Sequence, residues 1–192
     1  MQNDDARHDI RLLDRILAGD AAAIAELYDR HSRLLFGLIL RILGDRGEAE
    51  EVLQDVFLQV WTRAQTFNVE LGTPIAWIVR IARNRAIDRL RARAARTPPP
   101  AAPLLPALTD DPEAHAALTE QQRAVSRALD TLPADARQLL EHAYFLGLTQ
   151  SELAERFELP LGTVKTRMRT ALRALRRELQ QAAIEAPGYY QL

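Results

Sequence analysis

Six of the ten prolines in this 192-residue chain fall between Thr97 and Pro112, at 98, 99, 100, 103, 106 and 112. Proline donates no backbone hydrogen bond and its ring clashes with the preceding helical turn. Neither a helix nor a central strand can run through such a stretch, so the chain must fold as two pieces joined by a partly extended linker. On both sides of the break apolar residues recur at helical spacing, and strand signals are almost absent. The expected fold class is therefore all-α: two small helical domains, residues 9–96 and 113–181, joined by a Pro-rich linker over 97–112 and followed by a tail over 182–192. At 47% hydrophobic residues the chain can bury a core.

The first piece reads as four helices. A short one is expected from about Asp9 to Ala18, stopped by Gly19. Asp20 caps a long one that Gly44 ends, with Ile24, Tyr28, His31, Leu35, Leu38 and Ile42 on its apolar face and Leu27, Leu34 and Ile39 beside it. His31 is expected to be a core histidine with one backbone partner. Asp45 caps a third helix with Ala49, Val52, Leu53, Val56 and Val60 inward. Gln65 to Gly72 reads as a loop. Thr73-Pro74 then opens a fourth helix to about Arg96, burying Ile75, Ile78, Val79, Ala82 and Ala86. In the second piece, helices are expected from Asp111-Pro112 to Leu129, from Pro133 to Gly147, from Gln150 to Phe157 behind a Thr149–Glu152 capping box, and from Leu161 to Gln181.

Composition excludes several classes. With no cysteine there is no disulfide framework, thiolate metal site or catalytic thiol. No apolar run approaches the roughly 20 residues of a membrane span, and the charged stretch Met1 to Arg15 lacks the apolar core of a signal peptide. A cytoplasmic protein without membrane insertion is expected. Glu51 and Asp55 lie one turn apart, but a carboxylate metal site in a bundle wants a Glu-x-x-His pattern, and none occurs. There is no phosphate loop and no nucleophile elbow. No catalytic residue, cofactor or metal is expected, and the chain reads as a non-enzyme.

The net charge of -1 hides strong segregation. Thr73 to Arg96 holds seven Arg and one Asp, and Leu161 to Arg177 holds one Lys and five Arg without an acid. Asp45 to Asp55 and Pro98 to Gln122 are acidic in turn. Solvated helix faces explain any single block; four alternating blocks suit separate surfaces for separate partners.

Three surfaces follow. The last two helices are joined too tightly to run antiparallel, which is the helix-turn-helix pattern. The outer face of the last helix, with Lys165, Thr166, Arg169, Thr170 and Arg173, offers donors for base edges amid cations for phosphates. On the fourth helix Trp77, Arg80, Asn84, Asp88 and Arg91 form an outward stripe suited to unstacked bases and a strand backbone. An Arg-rich helix around one buried Trp would read the same way. The third helix sets Glu48, Glu50, Glu51, Gln54 and Asp55 beside Phe57, Leu58 and Trp61. That surface is either a protein-docking face or a second packed face.

The run Glu48-Ala-Glu-Glu-Val-Leu-Gln-Asp-Val-Phe-Leu-Gln-Val-Trp61 resembles the polymerase-binding segment of extracytoplasmic-function (ECF) sigma factors, small members of the bacterial sigma-70 family. Ala76-Trp-Ile-Val-Arg-Ile-Ala-Arg-Asn-Arg-Ala-Ile-Asp-Arg-Leu90 resembles their helix for the minus-ten promoter element. Leu159-Pro-Leu-Gly-Thr-Val-Lys-Thr-Arg-Met168 is similar to the start of their minus-thirty-five recognition helix. The three motifs fall in the family's order and span about Leu27 to Leu179.

The resemblance implies a factor that binds core RNA polymerase and promoter DNA, is monomeric when free, and is held by an anti-sigma factor. Its polymerase-binding residues would be Glu50, Glu51, Leu53, Gln54, Asp55 and Phe57. Trp77, Arg80, Arg83, Asn84, Asp88 and Arg91 would act at the minus-ten element, with the loop from Thr66 to Gly72 closing over a flipped base. Thr163, Lys165, Thr166, Arg169 and Thr170 would serve the minus-thirty-five element, with Arg167 and Arg173 on phosphate. The acidic linker could shield a basic face in the free protein. Pro160 and Leu161 depart from the family, where a Ser or Thr cap and an acid are common. The competing expectation is a dimeric helix-turn-helix regulator that never touches polymerase.

Overall fold

The computed structural model describes residues 2–96 and 120–181, which fall into two compact units. The proline-rich segment, the start of the helix expected from Asp111 and the tail lie outside the described residues, and so does any shielding by the linker.

The first unit packs four helices: α1 (Gln2–Leu17), α2 (Ala21–Leu43), α3 (Arg46–Arg63) and α4 (Pro74–Arg96). Asp20 accepts from the Ala22 N–H and Asp45 from the Glu48 N–H, so both N-caps form as expected. Gly44 closes α2 at φ 69°, a left-handed position that glycine adopts without strain. Thr73 caps α4, its hydroxyl accepting from the Ala76 N–H at 3.4 Å. The loop between α3 and α4 contains two single 3-10 turns, Ala64–Thr66 and Val69–Leu71.

α1 begins seven residues before the expected Asp9. Asp4 and Asp5 favour its N-terminus electrostatically, and its polar side finds partners on α2. Arg30 bonds Asp5 at 3.1 Å and Asp9 at 3.0 Å, and His8 meets Glu26 at 2.8 Å. His31 also departs from expectation. Its Nε2 bonds the Asp9 carboxylate at 2.9 Å, a side-chain partner in place of the backbone one.

α2 touches α1, α3 and α4, so its buried arc is wider than one stripe and takes in Leu27 and Ile39 from beside the expected face. Ala23, Leu27, Leu35, Ile39, Ile42 and Leu43 are buried, while Tyr28 is 41% exposed. On α4 the inward residues include Trp77, Ile81 and Ile87; the expected Ile75 and Val79 are only half-buried.

The second unit contains α5 (Glu120–Asp130), α6 (Ala134–Phe145), α7 (Gln150–Arg156) and α8 (Leu161–Gln181). α8 packs on the other three. Leu139, Leu153, Val164 and Met168 form one cluster. Leu132, Ala136 and Ala171 form a second, and Ala128, Leu175 and Leu179 a third. The capping box is complete: the Thr149 hydroxyl accepts from the Glu152 N–H at 3.2 Å, and Glu152 accepts from the Thr149 N–H at 2.6 Å. Glu158, at φ 53°, makes the sharp turn between α7 and α8. The Pro160 carbonyl then takes the N–H groups of Thr163 and Val164.

Candidate nucleic-acid interface

The last turn of α3, the 3-10 turn after it and the outer side of α4 enclose an open pocket of about 390 Å³. Gln59, Arg63 and Thr66 line one wall; Trp77, Arg80, Ile81, Asn84, Arg85 and Asp88 line the other. Trp77 does not point outward as the sequence stripe suggested. It is 8% exposed, with its ring against Phe67 at 5.8 Å between centroids, and with the equally buried Ile81 it forms an apolar floor. Around that floor stand two amides, a hydroxyl, one carboxylate and three guanidinium groups. A flat apolar base with convergent donors suits an unstacked nucleobase and its phosphates.

The fold sorts the α4 arginines, which the sequence cannot. Arg89 bonds Glu48 at 3.3 Å and Glu51 at 2.5 Å; Arg93 bonds Glu48 at 3.0 Å and the Leu43 carbonyl at 3.2 Å. The hydrogen bonds that Arg89 donates to Glu51 and then to Glu48 raise its pKa above the ordinary value. These two arginines fasten α4 to α3 and to the end of α2. Arg63, Arg80 and Arg85 have no carboxylate partner among the described residues, so the positive field collects at the pocket. Of the residues expected at the minus-ten element, Trp77, Arg80, Asn84 and Asp88 line it; Arg83 and Arg91 do not. The stripe missed Gln59, Arg63 and Arg85. Gln59 and Arg63 lie one turn apart, but nothing local says that α4 faces them.

The α3 surface is in part a second packed face. Leu53 and Phe57 are buried, Phe57 packing on Tyr28 at 4.8 Å between centroids. Glu50, Gln54 and Asp55 remain exposed, and Leu58 is 62% exposed beside them. Glu50 bonds Arg46 one turn earlier, and Glu51 is engaged by Arg89. Of the residue set the resemblance implied, Leu53 and Phe57 are therefore core, and Glu50, Glu51, Gln54 and Asp55 are exposed.

On α8 the division is clean. Val164, Met168, Ala171 and Leu175 are buried, while Lys165, Thr166, Arg169, Thr170 and Arg173 share the exposed face. Thr163 is half-buried. Arg167 is half-buried too, and pairs with Asp135 on α6. Among the described residues no three His, Asp or Glu side chains converge as a metal would require, and no helix is long and apolar enough to cross a membrane.

The family description Sigma-70 region 2 matches residues 27–96, and Sigma-70, region 4 matches residues 128–177. The chain is 37% identical over 171 residues to the ECF RNA polymerase sigma factor SigK of Mycolicibacterium vanbaalenii, covering 86% of each. It is 39% identical over 170 residues to the SigK of Mycobacterium tuberculosis, covering 86% of this chain and 90% of that one. Among solved structures it is similar to Rhodobacter sphaeroides SigE in complex with the anti-sigma ChrR, at 34% identity and a TM-score of 0.47, over 88% of this chain and 98% of that one. These matches support the sigma-factor expectation and not the dimeric regulator. Region 2 over the pocket-bearing helices, region 4 over the helix-turn-helix and the two SigK relatives together establish that the chain belongs to the ECF RNA polymerase sigma factors of the sigma-70 family.

Proposed function

We propose that the two units divide promoter recognition between single-stranded and duplex DNA. In the first unit, Glu50, Gln54, Asp55 and Leu58 of α3 present an acidic and apolar surface to core RNA polymerase. The pocket beside α4 takes an unstacked base of the minus-ten element, with Trp77 beneath it and Asn84 and Arg80 reading or holding it. In the second unit, about 113–181, Lys165, Thr166, Arg169 and Thr170 reach base edges of the minus-thirty-five element. Arg173 lies on the backbone, and so does Arg167 once it exchanges Asp135 for a phosphate. The carrying observation is the pocket: an apolar floor under three guanidinium groups without carboxylate partners.

Two exposed basic surfaces would bind any DNA non-specifically. A masking partner such as the anti-sigma protein named for Rhodobacter sphaeroides SigE therefore fits the charge distribution. The factor works in the cytoplasm, monomeric when free, and catalyses no reaction itself.

In vitro transcription with core polymerase from a related bacterium on fragmented genomic DNA tests this. Discrete start sites are expected that vanish with Asn84→Ala and weaken with Lys165→Ala or Arg169→Ala. Sequence-specific duplex binding without any initiation would overturn it.

A further inference from the structure

Arg85 is an exposed arginine lining the pocket, and its partner is unlike those of Arg89 and Arg93. Its Nε donates to the side-chain carbonyl of Gln59 on α3 at 2.8 Å. Because a guanidinium can only donate, the Gln59 oxygen must face it. No carboxylate pairs with Arg85 among the described residues. An amide acceptor and a carboxylate both fix a guanidinium in place, but only the carboxylate cancels its charge. Gln59 is half-buried at the end of α3, a more constrained support than a loop.

We infer that Gln59 is a positioning residue: it holds Arg85 at the pocket rim as an uncancelled cation, ready to take a backbone phosphate of the strand whose base occupies the pocket. The inference rests on the reading of that pocket as the site for the unpaired minus-ten strand. A long side chain left to itself spends most of its time in rotamers that miss the strand. The Gln59 bond removes that loss before DNA arrives.

The test uses full-length protein with core polymerase and a mapped promoter whose minus-ten segment is already unpaired. Affinity is measured across a salt series. Arg85→Ala is expected to weaken binding about tenfold and to flatten the slope of log K against log salt by about 0.7, one phosphate contact on a single strand. Gln59→Leu leaves the charge but not its placement. It should weaken binding roughly threefold, keep the slope, and add nothing in an Arg85→Ala background. Gln59→Glu keeps the shape but introduces a carboxylate, and should flatten the slope as Arg85→Ala does. A further loss from Gln59→Leu in the Arg85→Ala background would overturn the inference, as would a Gln59→Glu slope equal to that of the unmodified protein. Full binding by Asn84→Ala would instead remove the reading of the pocket, and the inference with it, whatever the Gln59 variants did.

Discussion

Asp9 is 2% exposed and remains charged because of what surrounds it. Burial pushes its pKa up, but the hydrogen bond and charge of His31, with Arg30 adding to both, outweigh burial and hold the carboxyl below its ordinary value. A depressed native pKa means stability that is present above the unfolded value of about 3.9 and lost as pH falls through the lower native value. Urea unfolding should therefore show the Asp9→Asn variant destabilised by about 2–3 kcal/mol at pH 7, with the gap closing below about pH 4. Equal destabilisation at both pH values would rule out the charge as the cause. Trp77 makes a second case. Truncation to Ala should cost about 3 kcal/mol as a core cavity and also abolish minus-ten recognition; Trp77→Phe should recover most of the stability, as read by thermal unfolding beside transcription. The spacing put Trp77 on one stripe with Arg80 and Asn84, which line the same pocket, but did not show its burial, because Phe67 reaches it from a loop with no periodic pattern.

Among the elements, α7 and α8 were the most legible. A Thr-x-x-Glu box, a short connection and an apolar repeat are local signals, and each acts within a few residues of itself. Thr149→Ala should cost about 1 kcal/mol of stability in the second unit, measurable as a lowered thermal midpoint. The left-handed Glu158 was not legible, since nothing in its residue type requests that conformation. Glu158→Gly is expected to leave stability unchanged or raise it by up to about 1 kcal/mol, while Glu158→Val should lower it and weaken minus-thirty-five binding. The N-terminal start of α1 was also missed. Its first turns are polar, and they are held by Arg30 and Glu26 on α2, eighteen or more positions away in the chain.

At the scale of the molecule, the basic pocket and the α8 face lie in different units and, under the proposed function, meet different parts of a promoter. The log losses in promoter occupancy from Asn84→Ala and Lys165→Ala should therefore add within about 0.5 kcal/mol when the two are combined, as for independent sites. Raising salt should weaken the α8 contact as well as the pocket contact, because both rest on phosphate. Strong non-additivity in filter binding or footprinting would show that the two surfaces act as one. The sequence by itself determined that the chain is helical, that prolines divide it, where most caps sit, and which α8 residues face outward, because periodicity, capping and proline chemistry are local. Only the tertiary structure decided which arginines carry free charge. Arg89 and Arg93 are cancelled by Glu48 and Glu51, while Arg63, Arg80 and Arg85 surround a pocket whose floor is a buried Trp77. That sorting depends on which face of α4 meets α3, and a contact between residues some forty positions apart leaves no trace in the spacing of either helix.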